Sequence, residues 1–183
     1  MKIESSKLPC LTFLSNDGEP TQIDFSAETA RINATASALS ERYPSGGAIG
    51  ILAKTGPDLV FSWLAAVRAG LMPLILQYPT KKQSNAFWQN AIDTALSSIS
   101  LVGVVCEDEL VAKLPEDLAI FSMSELLTKA KNYQENDEQF CLAEFSILQM
   151  SSGTTGHRKT IEFTSKQLNQ HITDYNSALR LSE

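Results

Sequence analysis

The chain has 183 residues, 43% hydrophobic and 20% charged, which excludes disorder, collagen and low-complexity stalks. Lys+Arg 15 against Asp+Glu 21 gives a net charge of -6, and that balance argues against general nucleic-acid binding while leaving room for a small anion site. With ~100–200 residues per domain as the norm, the expectation is a single α/β domain or subdomain over 1–183.

Cys10–Leu14 and Thr21–Phe25 read as short extended runs around Asn16-Asp17-Gly18-Glu19-Pro20, a turn signal that predicts a β-hairpin. Ser26 is placed to cap an alanine-rich helix, Ala27–Tyr43, which Pro44-Ser45-Gly46-Gly47 ends. Ala48–Ala53 reads as a small apolar strand. Thr55 or Gly56 can cap the next helix, Pro57–Ala69, because proline suits the first helical position. Its apolar stripe is Leu59, Val60, Trp63, Leu64 and Val67, and Gly70 is a left-handed stop.

Leu71–Leu76 is nearly pure apolar, the pattern of a strand buried on both faces in a parallel sheet. After a polar loop, Tyr78–Gln83, Ser84 opens a helix to about Ser98 with Phe87, Ala91, Ala95 and Leu96 as its stripe. Leu101–Cys106 is another buried strand. Glu107–Leu114 is a short helix whose leading acids suit its dipole. Ala119–Phe121 is extended, and Ser122-Met123-Ser124-Glu125 fits a capping box for a helix to about Lys131. The acidic stretch 132–139 reads as a linker. Glu144–Met150 and Thr160–Phe163 are the last strands, and Thr164 or Ser165 caps a helix over about Lys166–Leu181.

Strands alternating with helices predict a largely parallel sheet flanked by helices, with an N-terminal β-hairpin. No apolar run approaches the ~20 residues of a membrane span, and no secretory signal is visible. Cys10, Cys106 and Cys141 form no CxxC pair, and only His157 and His171 join them, so a zinc site or disulfide framework is not expected. A cytoplasmic location fits that cysteine usage.

The chemistry concentrates in Ser151-Ser152-Gly153-Thr154-Thr155-Gly156-His157-Arg158-Lys159-Thr160. Six consecutive residues from Ser151 to Gly156 are Ser, Gly or Thr, and four of those six carry hydroxyls. Glycines let backbone approach a ligand closely, and successive N–H groups form an anion-binding concavity. Arg158 and Lys159 add positive charge. The spacing is neither Walker A nor G-x-G-x-x-G. From composition alone, a polar turn between two strands is the favoured explanation of the segment, and the order of the residues reverses that.

Ser-Ser-Gly-Thr-Thr-Gly-x-x-Lys resembles the phosphate-binding signature of the AMP-forming adenylating enzymes. That superfamily holds acyl-CoA synthetases, fatty acyl-AMP ligases and peptide-synthetase adenylation domains. Arg158, Thr160 and Ser165 depart from its usual proline, glycine and histidine. Ala48–Ala53, Pro57–Gly70 and Met72-Pro73-Leu74 look like its strand–helix–strand segment.

The resemblance implies that a carboxylic acid, fatty or aryl, attacks the α-phosphate of Mg·ATP, giving an acyl-adenylate and pyrophosphate. CoA or an acyl-carrier protein would then accept the acyl group. Ser151, Ser152, Thr154 and Thr155 would donate hydroxyls to the phosphates, Gly153 and Gly156 would allow close approach, and Lys159 would be a point charge. The family's adenine pocket, ribose-binding aspartate, acyl pocket and catalytic lysine lie downstream of this loop, so the chain alone is expected to be inactive. The alternative is a stand-alone, non-catalytic nucleotide-binding or protein-interaction module on the same fold. Ending Arg180-Leu181-Ser182-Glu183 about one helix after the loop predicts an open sheet edge and self-association through it.

Overall fold

A computed structural model describes residues 10–14, 19–131, 144–151 and 159–179. The expected linker 132–139 lies outside them. β1 (Cys10–Leu14) and β2 (Pro20–Asp24) pair antiparallel as the expected hairpin, with Leu11 opposite Ile23 and Phe13 opposite Thr21. α1 (Phe25–Arg42) follows without a break, so Ser26 lies inside the helix rather than at its cap. Then come β3 (Ala48–Leu52), α2 (Pro57–Arg68), β4 (Met72–Ile75), α3 (Asn85–Ser98) and β5 (Leu101–Cys106). A 3-10 helix (Asp108–Lys113), β6 (Ile120–Ser122), α4 (Met123–Lys131), β7 (Ser146–Met150), β8 (Thr160–Thr164) and α5 (Ser165–Leu179) complete the order.

Six strands form one sheet in the order β6-β5-β3-β4-β7-β8. All neighbours pair parallel except β7 and β8, which are antiparallel. The sheet is therefore mixed and largely parallel, flanked by helices. Every residue of β3 is buried, as expected for a central strand covered on both faces.

Alternation along β3 sends Ile49, Ile51 and Ala53 to one core layer, with α1, α2 and α4 above it. Leu52 joins Leu74, Leu76, Trp88, Ile92 and Val104 in the other layer, beneath α3. Gly103 is required for the close approach of α1. A Cβ there would lie 2.4 Å from Tyr43 Cε1 and 2.7 Å from the Ala119 carbonyl.

Local signals set the element ends. Gly56 precedes Pro57 at the start of α2, and Gly70, at φ 74, stops the chain after it. Ser84 Oγ accepts the Phe87 N–H at 3.2 Å. Ser122 Oγ accepts the Glu125 N–H at 3.2 Å, while Glu125 pairs with Arg42 at 3.3 Å instead of closing the box. At α5 both halves form: Gln167 N–H donates to Thr164 Oγ1 at 3.3 Å, and Thr164 N–H donates to Gln167 Oε1 at 2.9 Å.

Two expected helix faces are rotated. In α2 the fully buried residues are Phe61, Ser62, Ala65, Ala66 and Val67, while Leu59, Val60, Trp63 and Leu64 flank them half-buried. Small residues let the helix axis approach the sheet, so the bulky ones fill the sides. In α3, Trp88, Ile92 and Ala95 face the sheet and Phe87 points outward, 56% exposed.

Candidate functional site

β3, β4, β5, β6 and β7 run parallel, so their carboxyl ends share one edge of the sheet. Ligands of open α/β sheets bind outside such an edge. The loop singled out by the sequence emerges there, between β7 and β8.

Ser151 and Lys159 close its neck. Ser151 N–H donates to the Lys159 carbonyl at 2.8 Å, and Lys159 N–H donates to Ser151 Oγ at 3.2 Å. Ser152, Gly153, Thr154, Thr155 and Gly156, with His157 and Arg158, lie outside the described residues. The seven residues 152–158 exceed the ~2–5 of an ordinary hairpin connection, so strand reversal alone does not account for their number.

Leu148 and Met150 of β7, which lead into the loop, pack against the layer that holds Trp88, and at the other end of the strand Phe145 meets Trp63 edge-on with ring centroids 6.4 Å apart. The Lys159 side chain is exposed and Ser151 is half-buried. Thr160 Oγ1 is buried with no hydrogen-bond partner among the described residues. An exposed ammonium and a serine hydroxyl at a strand's carboxyl end suit a polyphosphate. The described residues contain no group of three or more His, Cys, Asp or Glu placed to hold a metal.

A second constellation occupies the switch point of the sheet. The chain leaves β3 toward β4 on one side and leaves β5 toward β6 on the other, which puts the crevice between the ends of β3 and β5. Lys54 follows β3, and Glu107 and Glu109 follow β5. Lys54 Nζ lies 3.0 Å from Glu107 Oε2 and 3.2 Å from Glu109 Oε1, and Lys54 N–H donates to Glu107 Oε1 at 2.8 Å. Tyr78, beyond β4, donates its hydroxyl to Glu109 and lies 3.4 Å from Glu107 Oε2.

These bonds shift the titrations together. Hydrogen bonds to Glu107, then Glu109, hold the Lys54 ammonium above the usual lysine range. Burial, then the bond to Glu109, pushes Tyr78 up to about 12. Tyr78 and Lys54 hold the Glu109 carboxyl below the usual range. Asp108 is likewise held low by Ser124 and Ser122 at the end of β6. Burial pushes the Cys106 thiol up to about 11.

Lys54, Tyr78, Glu107 and Glu109 thus satisfy one another at the crevice, and the Ser151–Lys159 neck lies two strands away, on the far side of β4. Sequence reasoning assigned Glu107 and Glu109 only to the helix dipole. Their pairing with Lys54 and Tyr78 depends on strand order, which their positions in the chain do not reveal. Two depressions of about 340 and 400 Å³ lie at the opposite end of β7, around Phe145, Ser165 and Lys166, away from the loop.

No protein-family model matches the sequence, and no curated protein matches it. Solved structures do match the fold. A fatty acyl-adenylate ligase from L. pneumophila, in complex with acyl adenylate and pyrophosphate, superposes with a TM-score of 0.70 at 17% identity, over 93% of this chain and 30% of that one. McyG A-PCP complexed with phenylalanyl-adenylate gives 0.73 at 16%, over 93% and 28%. The adenylation domain of a keto acid-selecting NRPS module, bound to keto acyl adenylate, gives 0.74 at 16%, over 97% and 33%. The chain therefore has the fold of the N-terminal domain of acyl-adenylate-forming enzymes, and spans about a third of the length of these structures.

Proposed function

We propose that this chain carries the N-terminal part of an AMP-forming ligase, which activates a carboxylic acid, fatty or aryl, with ATP. The observation that carries this reading is the Ser151–Lys159 neck at the carboxyl edge of a sheet whose fold is shared with acyl-adenylate complexes. In this reading residues 1–183 are one α/β unit of a larger AMP-binding domain, with 132–139 as a linker. The loop grips the β- and γ-phosphates. Ser151, Ser152, Thr154 and Thr155 donate hydroxyls, Gly153 and Gly156 let the backbone approach, and Lys159 places a charge. Oriented donors at the departing pyrophosphate stabilise charge that develops in the transition state. Mg·ATP and the acid are the substrates, and CoA or an acyl-carrier protein takes the acyl group.

The chain alone is inert in adenylate formation in this reading, because it spans only about a third of its structural neighbours. Calorimetry with Mg·ATP and with pyrophosphate tests the loop directly. Binding should be weak and should fall about 10- to 150-fold in Lys159→Ala, the loss expected for one charge-assisted hydrogen bond of ~1.5–3 kcal/mol. Absence of heat with both ligands at millimolar concentration defeats the phosphate-loop reading. A second reading, a non-catalytic nucleotide-binding or interaction module, is supported by the self-satisfied charges around Lys54 and by Arg158, Thr160 and Ser165. Pyrophosphate exchange by a chain extended to the full length of the neighbours supports the ligase. Nucleotide binding without exchange in that longer chain supports the module.

A further inference from the structure

Thr160 opens β8 and directly follows Lys159 at the neck of the loop. It lies opposite Met150 in the β7–β8 ladder, so its side chain shares the α3 face of the sheet with Met150. The residue is half-buried, yet its Oγ1 is enclosed and has no hydrogen-bond partner among the described residues. The exposed part of Thr160 is therefore not its hydroxyl. Other threonines differ. Thr29, Thr35, Thr94, Thr128 and Thr173 each donate to the carbonyl four residues back. Thr164, at the other end of β8, exchanges hydrogen bonds with Gln167. An enclosed hydroxyl without a partner loses its water and gains nothing in return, so native structures rarely keep one. Shape does not explain this one, since valine has the same branching and suits a strand as well. Glycine, usual here in the signature that the loop resembles, has no hydroxyl to place.

We propose that Thr160 is a further phosphate-binding residue, whose hydroxyl turns outward and donates to an oxygen of the β- or γ-phosphate held at the Ser151–Lys159 neck. The inference rests on the phosphate-loop reading above and adds a residue that this reading does not use. Rotation about χ1 from one staggered well to the next carries Oγ1 away from its enclosed place and brings another substituent of Cβ into it. More than one such well is common in strands. No hydrogen bond among the described residues has to break for the turn. The methyl group suits the enclosed place beside Met150 better than an unpaired oxygen does.

Turned outward, the hydroxyl joins two groups already at the neck. Ser151 Oγ accepts the Lys159 N–H at 3.2 Å and keeps its own proton to donate. The Lys159 side chain is exposed. One ammonium and two hydroxyl donors at the carboxyl end of β7 then serve one anion, with Thr160 reaching it from the α3 face.

The test is a pyrophosphate titration of the 183-residue chain, read by NMR of its threonine methyl groups, on the parent, Thr160→Val and Thr160→Ser. Thermal unfolding without ligand accompanies it. The parent should bind, and its Thr160 methyl signal should shift as χ1 turns. Thr160→Val keeps the shape and removes the hydroxyl. It should weaken binding at least about tenfold, the loss of one hydrogen bond to a charged group, while its unfolding midpoint stays at or above the parent's. Thr160→Ser keeps the hydroxyl and should bind within about threefold of the parent. Parental affinity in Thr160→Val overturns the inference and leaves the phosphate-loop reading standing. A lower midpoint in Thr160→Val also overturns it, by showing that the hydroxyl is bonded within the fold. Binding as weak in Thr160→Ser as in Thr160→Val overturns it too, because the methyl would then be the part that matters. A parent that does not bind pyrophosphate defeats the phosphate-loop reading itself, and this inference with it.

Discussion

Two adjacent aromatics of α3 should respond to truncation in opposite ways. Trp88 is 2% exposed, and its indole N–H donates to the Gln77 carbonyl at 2.7 Å. Phe87 is 56% exposed. Trp88 lies in the layer against which Leu148 and Met150 of β7 pack. An aromatic buries roughly 150–250 Å², worth about 4–6 kcal/mol at ~25 cal/mol per Å² as an upper bound. Measured truncations of core aromatics cost ~3–5 kcal/mol. Trp88→Ala should therefore cost about 4 kcal/mol, a fall in Tm of about 8–16 °C for a chain of this size. Trp88→Phe, which leaves Gln77 without its donor, should cost ~1–3 kcal/mol, and Phe87→Ala under ~1 kcal/mol. Urea unfolding followed by far-ultraviolet circular dichroism reads all three. A Trp88→Ala midpoint equal to the parent's, or a Phe87→Ala loss as large as that of Trp88→Ala, would refute the packing argument.

Other positions give independent checks. Gly103→Ala should destabilise by about 2 kcal/mol, because the added methyl must displace Tyr43 or the Ala119 carbonyl; a neutral result in thermal melts would mean that α1 moves freely over β5. The phenol of Tyr78 should titrate near 12, so an alkaline ultraviolet titration of Tyr78→Phe should lose one late step, not one near 10. Its raised value means that Tyr78 contributes stability fully below pH 10, and that this is lost as pH climbs toward 12. Glu109 has the opposite sign, contributing above its unfolded value and losing that contribution as pH falls through its lowered native one, which an acid stability series on Glu109→Gln should show as a smaller acid slope. With Cys10→Ser and Cys141→Ser in place, Cys106 should resist a thiol reagent at pH 8 until the protein unfolds, and rapid native labelling would contradict its burial and raised pKa.

Much of the architecture could be read from local residue patterns. The alternation of strands and helices predicted a largely parallel sheet, and Gly70, Ser84 and Thr164 mark element ends because capping and left-handed stops are local chemistry. Helix faces were less legible. Reading for bulk chose Leu59, Val60, Trp63 and Leu64 in α2, but the sheet takes Ser62, Ala65 and Ala66, because a helix lying close to strands needs small residues at the contact. Reading α3 for the same cue chose Phe87 over Trp88, since a rotation of one residue changes which aromatic is buried and the pattern is nearly as good either way.

The loop from Ser151 to Lys159 stands out in the sequence because its chemistry is contiguous: short hydroxyl side chains, two glycines and a lysine within nine residues. Strand order placed it at the carboxyl edge, since only the pairing of β4 with β7 brings a late segment beside an early one. The same order brought Lys54, Tyr78, Glu107 and Glu109 into one cluster. Those four come from three separate turns, and their attraction for one another depends on distances that folding alone creates. Contiguous chemistry is written in the chain, whereas chemistry assembled across strands is decided by which strands become neighbours.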